Sequence, residues 1–151
     1  MKSEEIKEEI GLGVRCFLES QEKSLKPSID QFEELRILET AFNRLFLAVE
    51  HFCNALLLLE MGSFSHKHFS NIAKLKEMKE KYNLDIANIY HQTYTFRAYA
   101  DYRKFPEIKE NFDRAHLKVE LEAVKTALES ILNVLKNKLD LSQFQEVFKT
   151  R

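Results

Sequence analysis

The sequence predicts an all-α protein, an antiparallel up-and-down bundle of four or five helices with short accessory helices. Three observations carry that prediction. Only three of the 151 residues are glycine and two are proline, where average usage gives roughly 18 of the two together. Sheet proteins need such residues at their turns. Long apolar stripes recur at intervals of three and four residues, the period of a helix with one buried face. Finally, Gly11, Gly13 and Gly62 are dispersed, so the chain has no glycine-rich phosphate loop of the kind that opens a doubly wound nucleotide fold.

The elements follow in order. The first helix is predicted over about residues 3–25, with Ser3 as N-cap, Glu4 and Glu5 in the first turn, and Ile6, Ile10, Gly13, Val14, Phe17 and Leu18 on one face. Residues 26–30 contain Pro27 and form a turn. The second helix has the strongest pattern: Leu38, Ala41, Leu45, Val49, Phe52, Cys53, Leu56 and Leu59, widened by Phe42, Phe46 and Leu57, form a stripe broad enough for a central position. Gly62 suits its C-terminal stop, and residues 63–65 supply the next N-cap.

A third helix is predicted over about residues 66–82, cationic and carrying Phe69, Ile72, Leu75 and Met78. The fourth covers about 84–104 and stops where Pro106 disfavours a helical Phe105. The fifth covers about 107–139 on Phe112, Ala115, Val119, Ala123, Ala127, Ile131 and Leu135, and Ser142 is read as the cap of a short last helix with Phe144, Val147 and Phe148. Residues 1–151 read as one domain, since no repeat, low-complexity tract or long linker interrupts them.

Composition narrows the function classes. With 44% hydrophobic and 31% charged residues the chain has the make-up of a folded globular protein. Its longest apolar run, residues 55–59, falls far short of the roughly 20 residues a membrane span needs. Residues 1–10 are acidic and lack the pattern of a signal peptide. The expectation is a cytoplasmic protein with no membrane partner. Cys16 and Cys53 have no CxxC spacing and sit in apolar stretches, as packed, reduced thiols do. A net charge of −1 argues against strong non-specific nucleic-acid binding. No metal or other cofactor is expected: His66 and His68 are two apart, and His51, His91 and His116 have no partner at ligand spacing.

Charge is nevertheless uneven. Residues 66–82 carry five lysines against two glutamates, and 97–104 carry Arg97, Arg103 and Lys104 against Asp101. This pattern reads either as a local anion funnel or as a solvated helix face.

The most unusual stretch is residues 90–104. Tyr90, Tyr94, Arg97 and Asp101 are spaced four, three and four apart and so share a helix face. Two readings are open. In one, Arg97 and Asp101 form a surface ion pair and the tyrosines half-bury their rings. In the other, the face is an anion or nucleotide site. Asn43 and Arg44 also have two readings. Either Asn43 satisfies a buried helix end and Arg44 snorkels or pairs with Glu39 or Glu50, or both face the cleft of Arg97.

Three segments resemble the HEPN superfamily, helical domains named for higher eukaryote and prokaryote nucleotide binding. Ala41-Phe42-Asn43-Arg44-Leu45-Phe46-Leu47-Ala48 is similar to the family's A-x-N-R-x-Y-Y-A pattern, with Phe46 and Leu47 where tyrosines are usual. Ser65-His66-Lys67 resembles the loop entering the third helix, and Arg97-Ala98-Tyr99-Ala100-Asp101-Tyr102 resembles the R-x-x-A-D-Y signature. The resemblance covers about residues 35–135. It implies a homodimeric bundle whose signature arginines meet across the interface. It further implies one half of a toxin-antitoxin pair with a small nucleotidyltransferase, acting as a nucleotide or RNA binder or as a metal-independent endoribonuclease.

Under that resemblance Arg97, Asp101 and Tyr102 are the catalytic candidates, and Arg97, Asn43, Arg44, Tyr94 and Arg103 the nucleotide-binding ones. Tyr94, Tyr99 and Tyr102 are also candidates for nucleotide attachment by a nucleotidyltransferase partner. The ribonuclease pattern R-x(4–6)-H is not met, because Tyr102 stands five residues after Arg97 and the next histidine is His116. Metal-independent cleavage needs a group that exchanges protons near neutrality, which histidine does and a tyrosine of reference pKa about 10 does poorly. The alternative is a non-catalytic helical module that binds a protein partner.

Overall fold

The computed structural model describes residues 2–144. It is an all-α bundle of five α-helices: α1 Ser3–Leu25, α2 Gln31–Met61, α3 His68–Tyr82, α4 Ile86–Tyr102 and α5 Arg114–Leu135, with a short 3-10 helix at Pro106–Asn111. Helices α1, α2, α4 and α5 alternate in direction. Ser20 donates its hydroxyl to the Ala41 carbonyl at 2.7 Å while Glu9 meets His51 at 2.5 Å, so α1 and α2 are antiparallel. Along α4, Arg103 reaches Glu39 and Phe96 stacks on Phe42, whereas Tyr90 lies against Phe46. This places α4 antiparallel to α2. Contacts of Tyr99 with Phe112, just ahead of α5, and of Gln92 with Glu120 within it set α5 against α4 in the same way. Helix α3 is the exception: His68 sits near Phe46 and Lys81 pairs with Glu60, so residues 62–67 run back along α2 and α3 repeats its direction.

Helix α2 is central because its apolar stripe wraps most of its circumference. Ala41, Phe42, Leu45, Phe46, Val49, Phe52, Cys53, Leu56 and Leu57 are all buried, and each large side chain contributes about 1.5–3 kcal/mol relative to exposure. By length and composition α2 could cross a membrane, but 67% of its most apolar window is buried inside the bundle, as in the core helix of a soluble protein. Its ends are set locally. The Asp30 carboxylate accepts the Glu33 N–H at 2.8 Å, and Gly62 takes the left-handed conformation at φ 74° with its N–H on the Leu58 carbonyl. One pole is tied by Arg114 at the start of α5. Its Nε donates to both oxygens of Glu34 at 2.8 and 2.9 Å, and its Nη1 to the Ser24 carbonyl at 2.9 Å.

Several expected boundaries shift. Ser3 is the first helical residue and not the N-cap, which is Lys2 without a side-chain bond. Ser65 does not cap α3: its oxygen accepts the Lys67 N–H, its backbone is held by the Asn71 side chain, and α3 starts at His68. Phe69, one of the apolar residues of the predicted third helix, is 73% exposed. Helix α4 ends at Tyr102 because Arg103 and Phe105 adopt left-handed φ values of 58° and 56°, and Pro106 begins the 3-10 helix.

The predicted fifth helix is therefore two elements, parted at Phe112 and Asp113. The Asp113 carboxylate accepts the His116 N–H at 2.8 Å and starts α5 anew. Its core face is Leu117, Leu121, Val124, Leu128, Ile131, Leu132 and Leu135, whereas Ala115 is exposed and Val119 is 65% exposed. Leucines bury more apolar area than alanines, so they set the helix's rotation. Ser142 begins a helical turn, but the capping side chain is Asp140, which accepts both the N–H and the hydroxyl of Ser142. Val147 and Phe148 lie outside the described residues.

Candidate functional site

The seam between α2 and α4 is built on stacked aromatics. Phe42 lies 4.5 Å from Phe96 with planes 4° apart, and 4.9 Å from Phe112. Polar groups emerge one residue further around each helix. Arg97 Nε donates to Asp101 Oδ2 at 2.9 Å, and Asn43 Nδ2 donates to the same oxygen at 3.1 Å. The Arg97 guanidinium also lies 5.7 Å from the centre of the Phe46 ring. Its side chain keeps 32% exposure and that of Asp101 27%, so the pair is reachable from solvent. Beside it runs an open groove of about 490 Å³ lined by Glu39, Thr40, Asn43, Arg44, Ala100 and Asp101.

Asn43, Arg97 and Asp101 thus meet, 58 residues of chain separating Asn43 from its acceptor. Asn43 does not satisfy a helix end. Arg44 shares the groove, but its ion pair is with Glu19 of α1 at 3.9 Å, not with Glu39 or Glu50. Arg103 turns back on its own helix: Nη1 donates to the carbonyls of Tyr99 and Ala100 at 2.9 and 2.8 Å, and Nη2 to Glu39 at 2.7 Å. It closes the C-terminus of α4, as a cation near the last carbonyls does. Tyr102 lies in the regular last turn, about 140° around the helix from Arg97, and is 67% exposed with Lys104 5.9 Å from its ring centre.

Tyr94 belongs to a second cluster that the sequence did not reveal. Its ring stacks on His68 at 3.8 Å, and His68 also stacks on Tyr90 at 4.7 Å. His68 Nε2 lies 3.3 Å from His91 Nδ1, while His68 Nδ1 is buried without a hydrogen-bond partner among the described residues. Burial, aided by the neighbouring His91, lowers the His68 pKa to about 4, so this imidazole stays neutral near pH 7. Burial raises the pKa of Tyr90 well above a phenol's usual value. The two histidines are 23 residues apart across a loop, beyond any intrahelical spacing rule. Among the described residues no group of three or more His, Cys, Asp or Glu side chains is placed to hold a metal.

Two acids, half-buried Glu50 and buried Glu120, are also shifted. Burial raises the pKa of Glu50, against the opposing pull of His51 and Arg97, and that of Glu120, against the hydrogen bond from Gln92. The fold and these polar seams define an all-α bundle protein with a half-exposed Arg–Asp–Asn contact. No family model, curated protein or solved structure matches the chain.

Proposed function

We propose that the protein is a HEPN-like bundle that binds a nucleotide or the phosphates of RNA at the α2–α4 seam. In this reading it is a cytoplasmic homodimer and one half of a toxin-antitoxin pair with a small nucleotidyltransferase. The observation that supports it is the convergence of Asn43 and Arg97 on one oxygen of Asp101 beside an open groove. A guanidinium offers five N–H donors, of which Nε serves Asp101 here, and an incoming phosphate competes for the remainder. Asn43 adds an amide that can turn to a ligand when Asp101 lets go.

Binding without turnover is favoured over cleavage. Tyr102 stands where the ribonuclease pattern has histidine and is on another face of α4. The test is single-stranded RNA incubated with the pure protein in EDTA, beside an anisotropy titration of the same labelled RNA, each repeated with Arg97→Ala. Binding lost in the variant with no cleavage in either sample is the expected result. Cleavage abolished by Arg97→Ala assigns a metal-independent ribonuclease, and RNA binding unchanged by it removes Arg97 from the site.

A second reading, a non-catalytic module for a protein partner, is supported by the turn between α1 and α2. There Leu25, Ile29 and Phe32 are 76%, 88% and 79% exposed, uncovered apolar side chains of the kind that gather at protein–protein contacts. Light scattering on Ile29→Asp beside the parent protein tests whether that turn joins copies of the chain.

A further inference from the structure

We infer that the groove between α3 and α4 is a binding site for a nucleoside phosphate, either free or as a residue of single-stranded RNA. This deepens the proposed nucleotide binding and shares its ligand class, but it rests on different residues. The groove encloses about 550 Å³ between Phe69, Ile72, Lys76 and Lys79 of α3 and Ala87, Asn88 and His91 of α4, with Asp85 at its edge.

Its chemistry is graded along its length. Phe69 stands at one end, 73% exposed although it is a large aromatic, and edge-on to His68 at 5.4 Å. Lys76 and Lys79 stand at the other end. From position 69 to 76 a helix advances about 10 Å, comparable to the reach from a nucleobase to the phosphates on its ribose. The floor between them is the buried, apolar Ile72 and Ala87. A base laid on Phe69 therefore meets a π-face and an apolar floor, while its phosphates meet ammonium groups.

Two polar side chains of α4 also line the groove. Asn88 is exposed, and its carboxamide presents both a donor and an acceptor to a base edge. His91 Nδ1 faces His68 Nε2 at 3.3 Å, so its other ring nitrogen is the one left for a ligand. The stack of His68 on Tyr94 and Tyr90 anchors that contact from behind.

Charge complementarity selects an anion. Residues 66–82 hold five lysines against two glutamates in a chain of net charge −1. Within the groove Asp85 faces Lys79 at 3.6 Å, so Lys76 is the lysine better placed to take a phosphate.

The experiment uses the full chain at low salt. Adenosine 5′-diphosphate is titrated calorimetrically, a short fluorescein-labelled oligoadenylate by anisotropy, and Phe69→Ala, Lys76→Glu and Arg97→Ala are compared with the parent. Both groove residues are exposed, so circular dichroism melts should show intact folds. Phe69→Ala and Lys76→Glu are each expected to weaken binding about tenfold. The diphosphate binding as tightly as the oligonucleotide identifies a free nucleotide as the ligand, and tighter binding of the oligonucleotide identifies RNA.

Absence of binding by both probes overturns the inference. So does equal competition by inorganic phosphate or an oligoglutamate peptide, because the aromatic end would then add nothing. Loss of binding in Arg97→Ala alone also overturns it while leaving the α2–α4 reading in place. Loss in the groove variants alone does the reverse.

Discussion

Phe52 of α2 fills the space in which a side chain on Gly13 of α1 would begin: a Cβ at position 13 would lie 2.7 Å from the ring's Cε1 and 3.2 Å from the Ala48 carbonyl oxygen. Both residues are buried, and Phe52 is 0% exposed, so the ring has nowhere to retreat. The close approach of α1 to the central helix depends on that missing methyl.

The first prediction contrasts two glycines of one helix. Gly13→Ala gains about 1 kcal/mol of helix propensity but overpacks the contact, at a cost of about 1–3 kcal/mol. Urea denaturation should show a net loss of about 1 kcal/mol for Gly13→Ala. Gly11→Ala should gain about 0.5–1 kcal/mol, because among the described residues its Cβ would meet the Phe144 ring at an ordinary 3.8 Å. Equal effects at the two positions would contradict the packing.

Asp101 is predicted to restrain Arg97. In Asp101→Ala both Arg97 and Asn43 lose their shared acceptor, so an RNA or phosphate ligand at the seam should bind severalfold more tightly. In Arg97→Ala it should bind more weakly. Stability should change by less than about 1 kcal/mol in either variant, since the pair is part-exposed. Anisotropy titrations give the two signs, and matching signs would count against the seam as an anion site.

His68 makes stability depend on pH. Its pKa lies at about 4 in the folded state against 6.5 unfolded, so between those values the unfolded chain binds the extra proton. The stability it contributes is complete above pH 6.5 and is lost as pH falls towards 4. Glu50 and Glu120 act in the opposite sense, because their raised pKa values let protonation relieve a partly desolvated charge as pH falls. Their common background cancels when His68→Phe is compared with the parent protein. The variant's urea midpoint should fall less steeply below pH 6.5.

Glu120 is buried at 6% exposure, with Oε1 accepting from Gln92 and Oε2 lacking a hydrogen-bond partner among the described residues. Glu120→Gln keeps an acceptor for Gln92 and removes the buried charge. It should stabilise the bundle by about 1 kcal/mol at neutral pH. The gain should shrink in acid, where Glu120 takes up its own proton. Thermal melts at the two pH values measure both.

Legibility in the sequence differed by element. In α2 the wide stripe and the terminal Gly62 were sufficient, and Asp30, read as part of a turn, proved to be the cap. In α5 the reading followed apolar residues at intervals of four and missed the competing leucine face, although Asp113 at the break marked a new start. The alternation is ambiguous there because Ala115 and Val119 are compatible with either rotation until packing against α2 and α4 selects one. At the candidate site, the shared face of Arg97 and Asp101 was legible from a spacing of four. The partnership of His68 with His91 was not, since it depends on how the connection 62–67 folds back along α2.

The sequence alone determined the helical class, the stop at Gly62 and the failure of helix before Pro106. Each depends on backbone preferences acting over a few residues. Tertiary structure decided that Asn43 meets Asp101, that Arg103 folds back onto Glu39 and its own helix end while Tyr102 faces solvent, and that Phe69 is left uncovered in one groove with two lysines. Those outcomes follow from the rotation and crossing of whole helices, which minimise exposed apolar area over the entire core and carry the polar groups to wherever that rotation places them.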